Sequence, residues 1–508
     1  DAATNEIKHY RHAPQQPGSL SSNRVEAIFE DNIGRLWVGT DSGLNLLDAS
    51  SDEFLVFRND LEDPASISGD SIFSIFQDAG GLLWIGTRTG GLSKWNPRSW
   101  SFGYFKPRAD GPHRMTSSNI TAFTEDYEGN AWVGTFGGGI NVLNREGHLV
   151  REIRHDPAAD NSLGDDRVMA LLTDRHGAIW AGTMRGGLSR IDPASGVTET
   201  YRNDPERPDS LSADGVMSLM QDNTGLIWVG TFGGGVSRLD PRAGKFANFT
   251  PNSEVGGCLS SARATALAQG KDGVVWVGTD GGGLNYLKPE DGEWRQLRHD
   301  PDDLQSLSAN TIYALHVDAR GRVWVGSRQG LDRVSSWPLS GQDAHVIETA
   351  TPEGIMRSAV FGIQSDVHGN LWISSSQGLW SFNPDTGDYR AFHESQGLQG
   401  EEFNFGASYA SPDGTLYFGG AHGFNRFKPS ELDVNERPPP VVLTSLSVLN
   451  EPVVPDEPFE YLQSLDLGYK DYSVTLTVAA LDYTAPADNK FSYMLQGFDS
   501  DWVDAGNE

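Results

Sequence analysis

Carboxylates at a fixed distance from tryptophan are the first feature of this sequence that could carry chemistry. An aspartate precedes a tryptophan by six residues in seven places, at Asp31, Asp78, Asp126, Asp174, Asp222, Asp318 and Asp366. Two carboxylates held about 5 to 10 Å apart could hydrolyse a glycosidic bond by acid–base catalysis. A carboxylate repeated at one position is more typical of a turn, where it accepts backbone N–H bonds. Gly270 and Ser411 replace it in two copies, which agrees with a turn, so we predict no catalytic residue.

A second set of polar and aromatic residues lies at the variable positions of the same repeat. Most follow the tryptophan, or the tyrosine that replaces it, by four or five residues, and the others lie ahead of the strand that begins each copy. The candidates are Asn23, Asp41, Arg88, Asn119, Phe136, Arg185, Asp214, Phe232, Asp280, Arg328, Gln377 and His422. Around one opening, these side chains suit a polar ligand with some stacking, such as an oligosaccharide. The alternative is a solvated opening that binds nothing.

The repeat decides which elements must position these residues. Its aromatic anchor recurs at intervals of 47, then 48 six times, then 45, at Trp37, Trp84, Trp132, Trp180, Trp228, Trp276, Trp324, Trp372 and Tyr417. Glycine stands three residues before and six residues after every anchor, which predicts tight turns on both sides of a short strand. Four predicted strands in each unit of roughly 40 to 50 residues indicate a β-propeller blade.

The tally of strands predicts how the blades form a ring. Residues 4–13 resemble the outer, fourth strand of a blade, and nine sets of three inner strands follow, with eight outer strands between them. The numbers balance when the N-terminal strand completes the last blade, so we predict one nine-bladed propeller over residues 1–430, without exposed sheet edges. Seven blades and a two-blade remnant are the alternative. In a ring, the fourth-to-first and second-to-third connections emerge at one face, and the variable residues would surround its mouth.

The character of the sequence changes after the ninth copy. Residues 431–440 contain three consecutive prolines and break the period, which predicts a stiff linker. Alternating runs after residue 441 predict an immunoglobulin-like β-sandwich over 441–508. Only four or five strands fit into this length, so we expect the sandwich to be incomplete. The predicted fold class of the whole chain is therefore all-β.

Composition narrows the range of partners. A formal net charge of −30 disfavours nucleic acid, whose phosphates would be repelled, and also anionic lipid. The sequence has no apolar run of about 18 residues, so membrane contact is expected only through a helix outside this stretch. Cys258 is the single cysteine, and no Cys/His cluster predicts a metal. We predict no cofactor.

The repeat motif resembles a known family. The run Leu20-Ser-Ser-Asn-Arg-Val, followed by Asp-x-x-Gly-x-Leu-Trp-Val-Gly-Thr-x-x-Gly-Leu-Asn, closely resembles the two-component regulator propeller repeat, over about residues 19–430. The tail, with tyrosines at 469, 472, 483 and 493, resembles the three-tyrosine domain that follows such propellers. The resemblance implies the periplasmic sensor region of a membrane-bound two-component receptor with a histidine kinase or diguanylate cyclase output. The best-known polysaccharide-sensing members carry more repeats, in two propellers.

Three functions remain open from the sequence. In a sensor, a ligand would bind in the mouth or at the seam with the sandwich. Its binding would change the tilt between the domains or the association of two protomers. The protomers would associate through the C-terminal sandwich. A propeller glycosidase or polysaccharide lyase would use carboxylates such as Asp41, Asp166, Asp214 and Asp280. A protein-interaction scaffold would instead show a broad apolar patch.

Overall fold

The computed structural model describes most of the chain as antiparallel β-sheet. It describes residues 7–506 except 17, 49–50, 62–65, 97–101, 108–113, 160, 252–257, 289–291, 335–346, 350–357, 433–438, 455–457, 460–463, 465, 467, 472, 484–485 and 487–488. The 3₁₀ helices Glu394–Gln396 and Pro429–Glu431 accompany the strands. None of the helices in this described part has the length and apolar character needed to cross a bilayer. The chain divides into two compact units, Asp1–Arg98 with Asp433–Glu508, and Ser99–Leu432.

The first unit contains two propeller blades and the C-terminal strands. Blade A has the order β1 (Val25–Glu30), β2 (Leu36–Thr40), β3 (Gly43–Asp48), β4 (Glu53–Phe57), and blade B has β5 (Ile72–Gln77), β6 (Leu83–Thr87), β7 (Leu92–Trp95). C-terminal strands β36 (Val441–Val448), β37 (Glu451–Pro452) and β38 (Val474–Ala480) form a sheet of order β37-β36-β38, and β39 (Phe491–Tyr493) pairs with β40 (Val503–Gly506). Their packing into a sandwich stays a prediction, and most of the predicted linker, 433–438, lies outside the described residues.

The second unit contains seven blades, preceded by the short strand β8 (Tyr104–Phe105). Blade 1 consists of β9 (Ile120–Glu125), β10 (Ala131–Thr135), β11 (Ile140–Leu143) and β12 (Leu149–Ile153). Blade 2 consists of β13 (Val168–Thr173), β14 (Ile179–Thr183), β15 (Leu188–Ile191) and β16 (Thr198–Tyr201). Blade 3 consists of β17 (Val216–Gln221), β18 (Ile227–Thr231), β19 (Val236–Asp240) and β20 (Lys245–Phe249). Blades 4 and 5 are β21 (Ala264–Gln269), β22 (Val275–Thr279), β23 (Gly283–Leu287), β24 (Trp294–Leu297); and β25 (Ile312–Val317), β26 (Val323–Ser327), β27 (Gly330–Val334), β28 (Ile347–Thr349). Blade 6 is β29 (Val360–Ser365), β30 (Leu371–Ser375), β31 (Gly378–Phe382), β32 (Tyr389–Phe392), and blade 7 is β33 (Phe403–Ala410), β34 (Leu416–Gly420), β35 (Gly423–Phe427) with β8.

These seven blades close into a ring. The innermost strand of each blade packs beside that of the next, and β33 of blade 7 packs beside β9 of blade 1. Across this last junction, the Asn404 side-chain amide donates to the carbonyl of Ile120 at 2.7 Å. The second unit is therefore a seven-bladed propeller whose first and last blades touch.

The closing strand is β8, so the predicted nine-bladed ring over 1–430 is wrong. Tyr104 and Phe105 pair with Asn425 and Phe424, and the rings of Phe105 and Phe424 stack at 4.7 Å. Gly103 permits this approach, because a Cβ there would lie 2.2 Å from the carbonyl oxygen of Arg426. With this edge occupied by β8, the N-terminal segment cannot complete blade 7.

The N-terminal segment lies beside blade A. Its described part begins at Ile7, and the Tyr10 hydroxyl donates to Asp52, on the turn between β3 and β4. The Tyr10 ring also meets Phe54 edge-on at 5.3 Å. The structure thus has the seven-plus-two arrangement that the strand tally disfavoured.

Each aspartate of the repeat binds the tryptophan six residues later. In all seven copies the indole Nε1 donates to the carboxylate at 2.8–3.2 Å. The other oxygen accepts backbone N–H bonds; in blade 3, Asp222 accepts from Thr224 and Leu226. Burial acts to raise the pKa of Asp222, but its hydrogen bonds outweigh burial and hold that pKa below its ordinary value. The predicted turn role is therefore confirmed.

Blade 7 lacks the aspartate and the tryptophan, and blade 1 supplies a substitute. The Tyr417 hydroxyl donates to Glu125 at 2.9 Å, and the Ser411 hydroxyl donates to the other oxygen of the same carboxylate at 2.6 Å. Glu125 is the last residue of β9, so the carboxylate that holds the blade 7 turn comes from the neighbouring blade. Burial raises the pKa of Tyr417, so the phenol stays protonated and donates this bond at neutral pH.

We predict that Glu125→Ala lowers the free energy of unfolding by about 3 kcal/mol, since two buried donors lose a charged acceptor. The loss should be measured by chemical denaturation, and amide exchange should accelerate first in β33 to β35 and β9. Glu146→Ala is the matched control, because Glu146 is an exposed glutamate on the turn after β11. Equal stability of the two variants would contradict this role for Glu125.

Candidate functional site

The twelve predicted site residues do not surround one opening. Asn23, Asp41 and Arg88 belong to blades A and B of the first unit, so they are not part of the mouth of the seven-bladed ring. The other nine lie on connections at one end of that ring. The physical reason is the closure by β8, which leaves the first two repeats outside the ring.

Several of the predicted residues ahead of each blade support the backbone. Asp214 accepts the N–H of Asn203 at 2.7 Å, at the end of the preceding outer strand, and Asn23 accepts that of His12 at 2.9 Å. The same contact recurs at Asp70, Asp166 and Asn310. Asn119 differs, because its side-chain oxygen accepts from Asn404 across the junction of blades 1 and 7. Within the ring, Asn119, Asp166, Asp214 and Asn310 therefore hold the connections that form the mouth.

Charges in the mouth fall into two groups. Arg263 lies 2.7 Å from the Asp280 carboxylate and stacks over Phe232 at 5.5 Å, so this anion is already paired. In contrast, Arg185 and Arg328 are exposed and form no ion pair with the residues that the structure describes. The mouth therefore offers free cations, although the chain is strongly acidic overall.

The remaining rim residues are partly engaged or apolar. The Gln377 side chain accepts from Ser358 at 3.0 Å, and the exposed His422 is held through its backbone N–H by Gln399. Phe136 and Phe232 are 40% and 55% exposed, so both can contact a ligand. The rim thus combines aromatic surface with arginines.

The inner strands contribute a second layer of residues that sequence reasoning missed. In each ring blade, a β-bulge follows the first residue of the innermost strand. The bulged residue does not follow the regular alternation of side chains between the two faces of the sheet. The bulged positions are Thr121, Met169, Met217, Thr265, Tyr313, Phe361 and the longer bulge 404–407. This position varies in type while the residue before it stays apolar, which is a signal that the sequence did contain.

Polar residues, the methionines Met169 and Met217, and aromatic residues occupy these bulges. Thr121, Thr265 and Asn404 donate to the first carbonyl of the next inner strand and so link neighbouring blades. On blades 5 to 7, Tyr313, Phe361 and Phe405 form a continuous aromatic surface, which we call the aromatic ledge.

Another concave surface lies at the opposite end of the ring, between the turns of blades 1 and 2. This groove of about 690 Å³ is lined by Tyr127, Val150, Arg151, His176 and Arg190, among others. Arg151 donates to the carbonyls of Pro193 and Ala194, and Arg190 stacks over Trp180. Because both arginines are engaged by the protein, we consider the mouth the better candidate site.

In six of the seven ring blades, one residue in the third strand holds the connection that leads into the blade at the mouth. In blade 4 the Asn285 carbonyl accepts the N–H of Ser260, and its amide donates to the Ser260 hydroxyl at 2.7 Å. In blade 5 the equivalent contact uses a fully buried aspartate, Asp332, which accepts from the N–H and the hydroxyl of Ser308. Burial raises the pKa of the Asp332 carboxyl, and the bonds from Ser308 offset only part of this.

Comparison with known proteins agrees with this architecture. Six stretches match the two-component regulator propeller family, at residues 19–42, 66–89, 115–137, 210–233, 258–281 and 306–329. Each stretch begins ahead of an innermost strand and ends just after the second strand, so it includes residues of the blade's mouth connections. The chain therefore carries two-component regulator propeller repeats, as the motif indicated.

Solved structures show the same fold. The extracellular domain of a proposed hybrid two-component system from B. thetaiotaomicron is similar with a TM-score of 0.67 and 22% identity, covering 99% of this chain and 69% of that one. A second extracellular domain of this type from the same organism has a TM-score of 0.52 and 21% identity, covering 96% and 64%. At this level of identity, the likeness shows the fold.

One relative with detectable sequence similarity is a histidine kinase. Histidine kinase P4 of Formosa agariphila is 24% identical over 128 residues, which are 24% of this chain and 9% of the kinase. The aligned part is thus a small fraction of that protein.

We predict that Asp332→Asn stabilises the protein by about 1 kcal/mol at pH 7, because the amide can bind Ser308 as Asn285 binds Ser260 without a buried charge. Because the pKa of Asp332 is raised in the folded state, the parent protein loses stability as the pH rises above about 4. The advantage of Asn should therefore grow from pH 4 to pH 7, as measured by denaturant titration. Asn285→Asp should show the opposite sign, and a more stable parent at pH 7 would contradict the prediction.

Proposed function

We propose that this chain is the extracytoplasmic ligand-sensing region of a membrane-bound two-component receptor, and that its ligand is an oligosaccharide or another polar small molecule. The output module would be a histidine kinase or a diguanylate cyclase elsewhere in the protein. The regulator propeller repeats and the extracellular two-component domains of the same fold support the class of receptor. A periplasmic location follows from the same proposal.

The observation that carries the choice of site is the distribution of partners in the mouth of the ring. Its carboxylates are engaged by the protein, whereas Arg185 and Arg328 are exposed and have no ion pair within the described part of the chain. Phe136 and Phe232, on the equivalent connections of the two blades that flank the blade of Arg185, are exposed aromatic rings. Hydrogen-bonding cations beside aromatic faces are a suitable lining for a polar ring-shaped ligand.

A sensor accounts for the carboxylates better than a glycosidase or lyase does. Asp280 is paired with Arg263, Asp166 with Arg154, and Asp214 accepts a backbone N–H. Asp41 lies in the first unit, so it does not join the other three in the ring. Acid–base catalysis would need two carboxyl groups free to face a substrate.

Signalling requires that the ligand prefers one state of the receptor. A ligand that binds two states equally well shifts nothing, and each tenfold preference shifts the equilibrium by about 1.4 kcal/mol. The two states would differ in interdomain geometry or in the association of protomers, with a homodimer through the C-terminal strands as one form.

We predict that a panel of oligosaccharides contains a ligand that raises the melting temperature, since saturation at 100 times Kd adds about 2.7 kcal/mol of stability. The ligand should also change the solution scattering profile or the sedimentation coefficient. Arg185→Gln should weaken binding, whereas Arg242→Gln, an exposed arginine on the turn after β19, should leave it unchanged.

Two results would contradict the proposal. New reducing ends after incubation with glycans would indicate an enzyme. Saturating ligand that alters neither scattering nor sedimentation would exclude sensing by either route.

A further inference from the structure

The aromatic ledge is unlike the rest of the inner layer. The ring centroids of Tyr313 and Phe361 lie 5.5 Å apart, and those of Tyr313 and Phe405 lie 6.2 Å apart. All three side chains remain partly exposed, on three consecutive blades. At the same position in other blades, Thr121 and Thr265 link one blade to the next. Among the described residues, the three ledge side chains make no such link.

The backbone holds the ledge in place. Tyr313 and Phe361 are bulged residues whose neighbours, including Ile312 and Val360, are fully buried between blades. Phe405 lies in the longer bulge of β33, beside Gly406, whose φ of 74° suits glycine. Because the flanking residues are fixed by packing, the three rings are presented on a rigid support, which favours binding over a flexible loop.

A free cation belongs to the same blade as Tyr313. The N–H of Arg328 donates to the carbonyl of Thr311 at 3.0 Å, two residues before Tyr313, which places Arg328 at the rim above the ledge. Its guanidinium is exposed and has no carboxylate partner among the described residues, unlike that of Arg263. A planar guanidinium binds a carboxylate or a sulfate through two parallel hydrogen bonds.

We propose that the aromatic ledge and Arg328 form a subsite for a sugar ring that carries a carboxylate or a sulfate. The apolar face of the ring packs on Tyr313 and Phe361, and the anion binds Arg328. An aromatic face is electron-rich, so it attracts the polarised C–H groups of a sugar. This subsite rests on the proposed function and specifies its ligand as an acidic oligosaccharide.

Blade B of the first unit offers a matched control within the same chain. Phe73 occupies the bulged position of β5, and Arg88 stacks over it at 4.7 Å. Phe73 and Arg88 therefore repeat the pair Tyr313 and Arg328, but outside the ring. Substitution of Phe73 or Arg88 removes an aromatic ring or a guanidinium without altering the proposed subsite.

The test is isothermal titration of the full 508-residue chain with trigalacturonic acid, a chondroitin sulfate disaccharide, a hyaluronan tetrasaccharide and neutral maltotriose. We expect at least one acidic probe to bind more tightly than maltotriose. Phe361→Leu keeps the apolar volume but loses the aromatic face, and Arg328→Gln loses the cation. Each should weaken acidic binding about tenfold, which corresponds to about 1.4 kcal/mol. Phe73→Leu and Arg88→Gln should leave the affinity unchanged, and melting curves should show that all variants fold.

Several outcomes would overturn the subsite. Failure of every acidic probe to bind, equal or tighter binding of maltotriose, or unchanged affinity in Phe361→Leu and Arg328→Gln each exclude it. Binding of a neutral sugar with the signalling response intact would leave the proposed function standing without this subsite. If no sugar of either kind binds, the oligosaccharide ligand of the proposed function fails as well.

Discussion

The hydrogen bond between an aspartate carboxylate and the indole N–H of the blade's own tryptophan is the constraint on which five of the seven ring blades depend. In blade 3 the bond from Trp228 to Asp222 measures 2.8 Å, and the same carboxylate accepts the N–H groups of its turn. The turn and the second strand are therefore held by one charged group. With its indole N–H satisfied, Trp228 can be buried against Val275 and Val277 of the next blade. Repetition of this unit produces both the blade and its contact with the neighbouring blade.

The constraint also explains how the ring closes. Blade 7 has Ser411 and Tyr417 in place of the aspartate and tryptophan, and Glu125 of blade 1 supplies the missing carboxylate. The acceptor thus comes from across the seam, and it couples the last blade to the first. Together with β8 on the outer edge, this makes the closure a specific contact at both the inner and the outer side of the sheet. A rigid ring is what allows side chains from separate blades to act as one mouth.

Much of the blade could be predicted from the sequence, because the period, the turn glycines and the turn aspartates are local features. The partition into seven and two blades could not, since Trp84 and Trp132 are separated by the same 48 residues as anchors within the ring. The numbers of inner and outer strands balance whichever strand closes the ring. The deciding contacts, such as Phe105 on Phe424, join residues more than 300 positions apart, and no periodicity reports them.

The candidate site could likewise be predicted only in part from the sequence. Sequence reasoning found the rim, including Arg328, because the residues that follow the second strand vary from copy to copy. It assigned ligand binding to Asp214, which the structure shows capping a backbone N–H. It overlooked Tyr313 and Phe361, because an apolar residue within a strand is ordinarily core, and only the bulge moves these side chains out of the alternating pattern.

The most direct measurement of the central claim is the folding of residues 99–432 expressed alone. A ring closed by β8 contains all of its own strands, so this fragment should unfold in one cooperative transition and keep the near-ultraviolet signal of its buried tryptophans. A fragment that is unfolded or aggregated, and that regains structure only when residues 1–98 are restored, would contradict closure by β8.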